Sequence, residues 1–114
     1  MVMPTRIQLR RTKGWRKPPE TVVVSRPTKW GNPFDWRAYR GSVEDPKLKA
    51  TLDYFFWITG EHDYGEAMQE RRQWILEHLP ELRGKSLACW CGVREACHGD
   101  VLVVLANEES LQSS

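Results

Sequence analysis

A chain of 114 residues with 40% hydrophobic and 28% charged side chains fits one globular domain with a modest core, so a disordered or fibrous protein is excluded. No apolar run approaches the roughly 18 residues of a membrane span, and the first residues show no secretory leader, so neither membrane insertion nor export is expected. The net charge of +2 hides an asymmetry: residues 1–40 hold ten Lys/Arg against two acids, and residues 41–114 hold seven against thirteen.

Arg6 to Arg10 alternates polar and apolar residues and predicts a first strand. Residues 10–19 make a basic loop, because Gly14 permits a turn and Pro18-Pro19 forbids a helix. Residues 21–24 are β-branched and predict a central strand. The loop at 26–34 has no period, yet it carries Trp30 and Phe34. Residues 35–45 read as irregular, with a short helical turn at Trp36 and Tyr39. Asp45 before Pro46 is a helix start, with Leu48, Leu52 and Phe55 on one face and Gly60 as the stop. A second helix is predicted over 64–79, with Met68, Ile75 and Leu79 inward and Glu70, Arg71 and Arg72 solvated. Pro80 closes it. After Arg83-Gly84 the run 86–90 predicts a buried strand. A last helix starts near Cys97 or His98, and the polar tail from Glu108 to Ser114 is expected to fray. The order predicts a small Rossmann-like α/β domain of about three strands and three helices spanning the whole chain.

All three cysteines fall within nine residues, beside His98. An odd number, two of them one residue apart, argues against a disulfide framework and for a reduced, cytoplasmic protein. Cys89, Cys91, Cys97 and His98 match the ligand types of a zinc site, although the C-x-C-x5-C-H spacing is not that of a finger or ribbon. The same residues at a strand-to-helix junction also suit a metal-free pocket. There a helix N-terminus lowers a thiol pKa and attracts anions. Cys91, Cys97, His98 and Asp100 are then the catalytic candidates. A third reading is that the cysteines are small core residues, which suits Cys89 best.

The 26–34 loop has two readings as well. Arg26 and Lys29 can take phosphate and Trp30 can stack on a base, with Gly31 and Asn32 allowing close backbone approach; Phe34 is a further ligand-binding candidate. Alternatively Trp30 and Phe34 plug the core. The basic residues between 6 and 40 are the candidate surface for a nucleotide or nucleic acid, or they pair with the acidic helices inside the fold. A patch of Trp15, Trp30 and Trp36, if exposed, would suit a protein partner. His62 and His78 read as solvent-facing.

The motifs R-x-x-K-W-G-N-P-F and C-W-C…C-H-G-D-V-L, in this order, resemble an uncharacterised family of small phage and bacterial proteins, the domain of unknown function 4326. The resemblance covers about residues 6–106 and rests on Arg26, Lys29 through Phe34, Cys89 through Cys91, Cys97, His98 and Asp100. The late motif is also similar to the domain of unknown function 488, which usually has Arg where this chain has Gly99. The resemblance implies the fold and the site but no reaction; a phage-encoded copy would act in the host cytoplasm. Motifs and resemblance together lead to two expectations. One is a pocket between the two motifs for a nucleotide, nucleobase or nucleic acid, with glycosidic-bond or group-transfer chemistry. The other is a non-enzymatic, zinc-stabilised adaptor.

Overall fold

The structure is a computed structural model that describes residues 5–26, 28–62, 64–92 and 95–112, with side chains as far as Asn107. Three strands, β1 (Arg6–Gln8), β2 (Thr21–Val23) and β3 (Ser86–Cys89), form one parallel sheet in the order β1-β3-β2. Ile7 pairs with Ala88, and Val22 with Leu87. Between β2 and β3 come a 3-10 turn (Trp36–Tyr39), helices α1 (Pro46–Ile58) and α2 (Glu66–His78), and a second 3-10 turn (Leu79–Leu82). Helix α3 (His98–Gln112) ends the fold. Parallel strands need a long crossover, and α1 with α2 supplies it. The chain is therefore an α/β domain of three strands and three helices.

The central strand is β3, not the stretch at 21–24. Leu87, Ala88 and Cys89 are all buried, whereas β1 and β2 are edges with partly open residues. β3, last in sequence, pairs with both β1 and β2, and its apolar residues suit burial on both faces.

Helix α1 starts as its sequence predicts: the Asp45 carboxylate accepts from Leu48 N at 3.1 Å, and Pro46 takes the first turn. Its face is the reverse of the one expected. Leu48, Leu52 and Phe55 are exposed, and Ala50, Asp53, Tyr54, Trp57 and Ile58 are buried. The helix is apolar on both sides, so periodicity alone cannot choose. Polar tips decide: Tyr54 Oη donates to Trp30 O at 2.9 Å and Trp57 Nε1 to Met68 O at 3.1 Å. Buried Tyr and Trp need such partners, and Leu and Phe do not. Asp53 is buried beneath Lys49 Nζ (2.9 Å) and the hydroxyl of Tyr39.

On α2, Glu70 is exposed but Arg71 and Arg72 are half-buried, against the expectation of a solvated face. Each reaches backbone carbonyls of a neighbouring segment: Arg72 Nε donates to Ile58 O at 3.0 Å, and Arg71 holds the 28–31 loop. His78 is also half-buried, stacked on Trp74 at 4.2 Å. The tail expected to fray from Glu108 is helical backbone to Gln112, and residues 113–114 lie outside the described residues. Among the described residues no helix is long and apolar enough to cross a membrane.

Candidate functional site

Two loops leave the carboxyl ends of β2 and β3 on the same side of the sheet, the place where open α/β sheets present ligand sites. Each is held by an arginine from elsewhere in the chain. Arg71 Nη2 donates to Gly31 O at 2.6 Å and its Nε to Lys29 O at 3.2 Å. Gly31 lies so close to Arg26 that an added Cβ would come within 2.8 Å of that side chain and 3.0 Å of its backbone nitrogen. The glycine is therefore a steric requirement.

Arg6 does the same for the second loop. Its Nη2 donates to Gly92 O and Glu95 O, both at 2.8 Å, its Nη1 to Cys91 O at 3.1 Å, and its Nε to Asp100 Oδ1 at 2.9 Å. The side chain is only 4% exposed. Burial would lower the guanidinium's pKa, but the Cys97 sulfur and Asp100 outweigh that and raise it. Asp100, a catalytic candidate from sequence, is exposed, is absent from the cavity lining described below and serves as the partner of Arg6. Gly99 is the second close approach: a Cβ there would meet Arg6 Cδ at 2.9 Å.

The loop folds the three thiols together. Cys89 faces one way from β3, Trp90 points outward at 46% exposure, and Cys91 returns to the side of Cys89, as alternation along an extended chain requires. The Sγ atoms of Cys89, Cys91 and Cys97 all lie within 4.8 Å of one another, and Cys89 and Cys91 are 3.7 Å apart. No disulfide joins them. The three form a group that can hold a metal ion. As free thiols they titrate as one unit. Hydrogen bonds from Cys91, then Cys97, pull the Cys89 thiol down, and the hydrogen bond to Cys89 is the first cause that pushes Cys91 and Cys97 up.

His98, the expected fourth ligand, is buried beside this group and is not part of it. Its Nε2 lies 2.7 Å from Val24 O and its Nδ1 3.8 Å from Cys97 Sγ. A carbonyl only accepts, so Nε2 carries the proton and Nδ1 the lone pair. Burial lowers the ring's pKa, which favours this neutral form.

A cavity of about 470 Å³ joins the two loops. Cys89, Cys91, Cys97 and His98 line it from the late motif, and Ser25, Arg26, Asn32 and Phe34 from the early one. Trp36, Arg37, Lys47 and Glu95 complete much of the rest. The lining includes three cations, of which Arg26 and Arg37 face Asp35 at 3.9 and 3.4 Å and Lys47 pairs with Glu95. The Lys47 pairing lowers the Glu95 pKa, helped by the Gly92 N–H. Arg37 and Lys47 each lie 5.0 Å from the centre of the Trp36 ring.

The early motif thus divides. Arg26, Asn32 and Phe34 line the cavity, and Lys29, Trp30 and Gly31 do not. Trp30, the proposed base-stacking platform, is a core residue at 7% exposure, edge-on to Trp74 at 4.9 Å, so it cannot join Trp15 and Trp36 in a surface patch. Lys29 lies over Trp74 at 5.1 Å. Asn32 is a pin: its Nδ2 donates to Ala50 O at 3.1 Å while its Oδ1 accepts from Phe34 N at 2.8 Å. Sequence reasoning missed Arg6, Trp36, Arg37 and Lys47 at the site. Lys47, two residues past the cap of α1, and Trp36, inside a cation-rich stretch, offered a signal of charge beside aromatic; Arg6 offered none.

Comparison with curated proteins gives no match. Comparison with solved structures gives none either. Residues 7–108 match the family described as Domain of unknown function (DUF4326), and the chain belongs to that family.

Proposed function

We propose that the cavity binds a nucleotide or another nucleobase-bearing molecule, free or at an exposed position of a nucleic acid. The observation that carries this reading is the lining itself: Arg26, Arg37, Lys47 and the Trp36 indole line one cavity of about 470 Å³, a size typical of small-ligand sites, with Arg37 and Lys47 each 5.0 Å from the ring centre. The cations match phosphate, and Trp36 replaces Trp30 as the stacking surface. Glycosidic-bond or group-transfer chemistry is the activity to screen, because a thiol group and an imidazole line the same space. Calorimetry with nucleoside mono- and diphosphates tests the binding. Saturable binding is expected, with the double change Arg26→Ala and Lys47→Ala weakening it by about tenfold or more, since a charged hydrogen bond contributes about 1.5–3 kcal/mol. Binding unaffected by that double change would defeat the reading.

A second reading has its own support in the three clustered thiols. In it they hold zinc and the domain is a binding module without catalysis. Zinc is the metal of choice for a thiolate-rich site in a reduced protein. Metal content measured together with a native thiol count separates the two. One zinc per chain with no reactive thiol favours the module, and chelation should then unfold it.

A further inference from the structure

The geometry points to a metal centre of three thiolates, Cys89, Cys91 and Cys97, whose fourth position opens into the cavity rather than being closed by His98. This rests on the zinc reading above and adds a consequence: the ion would take a donor atom from whatever the cavity holds.

Three observations carry it. First, ligand spacing. In a tetrahedral site with metal–sulfur bonds of about 2.3 Å, neighbouring sulfurs sit about 3.8 Å apart. Cys89 and Cys91 are at 3.7 Å, and Cys97 closes the group within 4.8 Å, so small rotations suffice. Second, His98 stands outside the cluster. Its Nδ1 lies 3.8 Å from Cys97 Sγ but is not among the donor atoms that lie within 4.8 Å of one another. The Nε2–H bond to Val24 O leaves the Nδ1 lone pair free, and closing the site would require that lone pair to move toward the other two thiols. Third, all three cysteines line the cavity, together with the cations that can hold the rest of an anionic ligand. Three protein ligands plus an open position is the arrangement of metal sites that act on a ligand, and four protein ligands that of structural ones. The loop is also braced from behind: Arg6 fixes the carbonyls of Cys91, Gly92 and Glu95, which limits how far the thiols can spread.

Cobalt(II) is the probe, because thiolate-to-cobalt absorption reports both ligand set and coordination number. The full chain should take up one cobalt per molecule, and zinc should displace it. Cys89→Ser, Cys91→Ser and Cys97→Ser should each abolish the thiolate bands. His98→Gln should keep one cobalt and the thiolate bands, losing at most about 10–100-fold in affinity, as for a group outside the coordination sphere. Imidazole added to the wild-type cobalt protein should shift the visible spectrum saturably, a result that depends on no variant folding. An unchanged spectrum, or loss of cobalt by His98→Gln as complete as by the cysteine changes in a protein whose circular dichroism is native, overturns the open position. Failure of the wild type to bind cobalt overturns the zinc reading beneath it.

Discussion

At the scale of single residues, Arg6 matters more to the site than either of its charged neighbours. The Arg6–Asp100 ion pair is half open, since Asp100 is 53% exposed, and such pairs contribute about 0–1 kcal/mol. The three carbonyls are a different matter: they are partly buried, and an acceptor shut off from water without its donor costs about 1–3 kcal/mol. Arg6→Ala should therefore destabilise the domain by about 2–4 kcal/mol, whereas Asp100→Asn should cost about 1 kcal/mol or less. Urea denaturation of both variants checks this, and equal losses would mean that the ion pair, not the carbonyl clamp, holds the loop. The sequence presents Arg6 as one more cation in a basic segment. What distinguishes it is the register of β1 against β3, Arg6 opposite Leu87, which places its side chain within reach of residues 85 to 94 positions further along the chain.

At the scale of elements, helix starts and stops were legible and faces were not. Asp45-Pro46 and Gly60 mark α1 because capping is local chemistry. Its inward face depends on where a Tyr hydroxyl and a Trp N–H find carbonyls 24 and 11 residues away. The consequence is a contrast within one helix. Trp57→Ala should cost about 3–5 kcal/mol, as for large buried aromatics. Leu52→Lys, on the exposed face, should stay within about 0.5 kcal/mol of wild type. Thermal or urea unfolding decides, and a large loss from Leu52→Lys would mean that the exposed stripe is buried in solution. The two strand-to-helix loops show the same division. The sequence marks Gly31 as a place of close backbone approach, but what Gly31 and Gly99 admit is the side chains of Arg26 and Arg6, and that emerges only when the segments meet.

At the scale of the whole molecule, all three tyrosines have raised pKa values. Burial is the first cause for each, and Asp53 adds to it at Tyr39, which is pushed up to about 12. The sign follows from linkage: the unfolded chain loses these protons near pH 10 and the folded one holds them. Their contribution is complete below pH 10 and is lost as the pH rises through the folded values. The urea midpoint should therefore fall above about pH 10, and Tyr39→Phe should remove part of that slope between about 10 and 12. Tyrosinate absorbance gives the ionisation directly. A midpoint that stays level across this range, with the folded tyrosines already ionised, would contradict the raised values.

By itself the sequence determined the α/β class, the element order and the two motifs around which the site is built, because turn chemistry, capping and periodicity are local. It also brought together Cys89 and Cys91, since residues two apart on an extended chain share a side. Tertiary structure alone decided that β3 is central and that Trp30 is core while Trp36 lines the cavity. It also decided that Cys97 joins the other thiols while His98 turns to Val24. These outcomes depend on which distant groups compete for the same interior space and the same hydrogen-bond partners, and no short window of sequence contains both competitors.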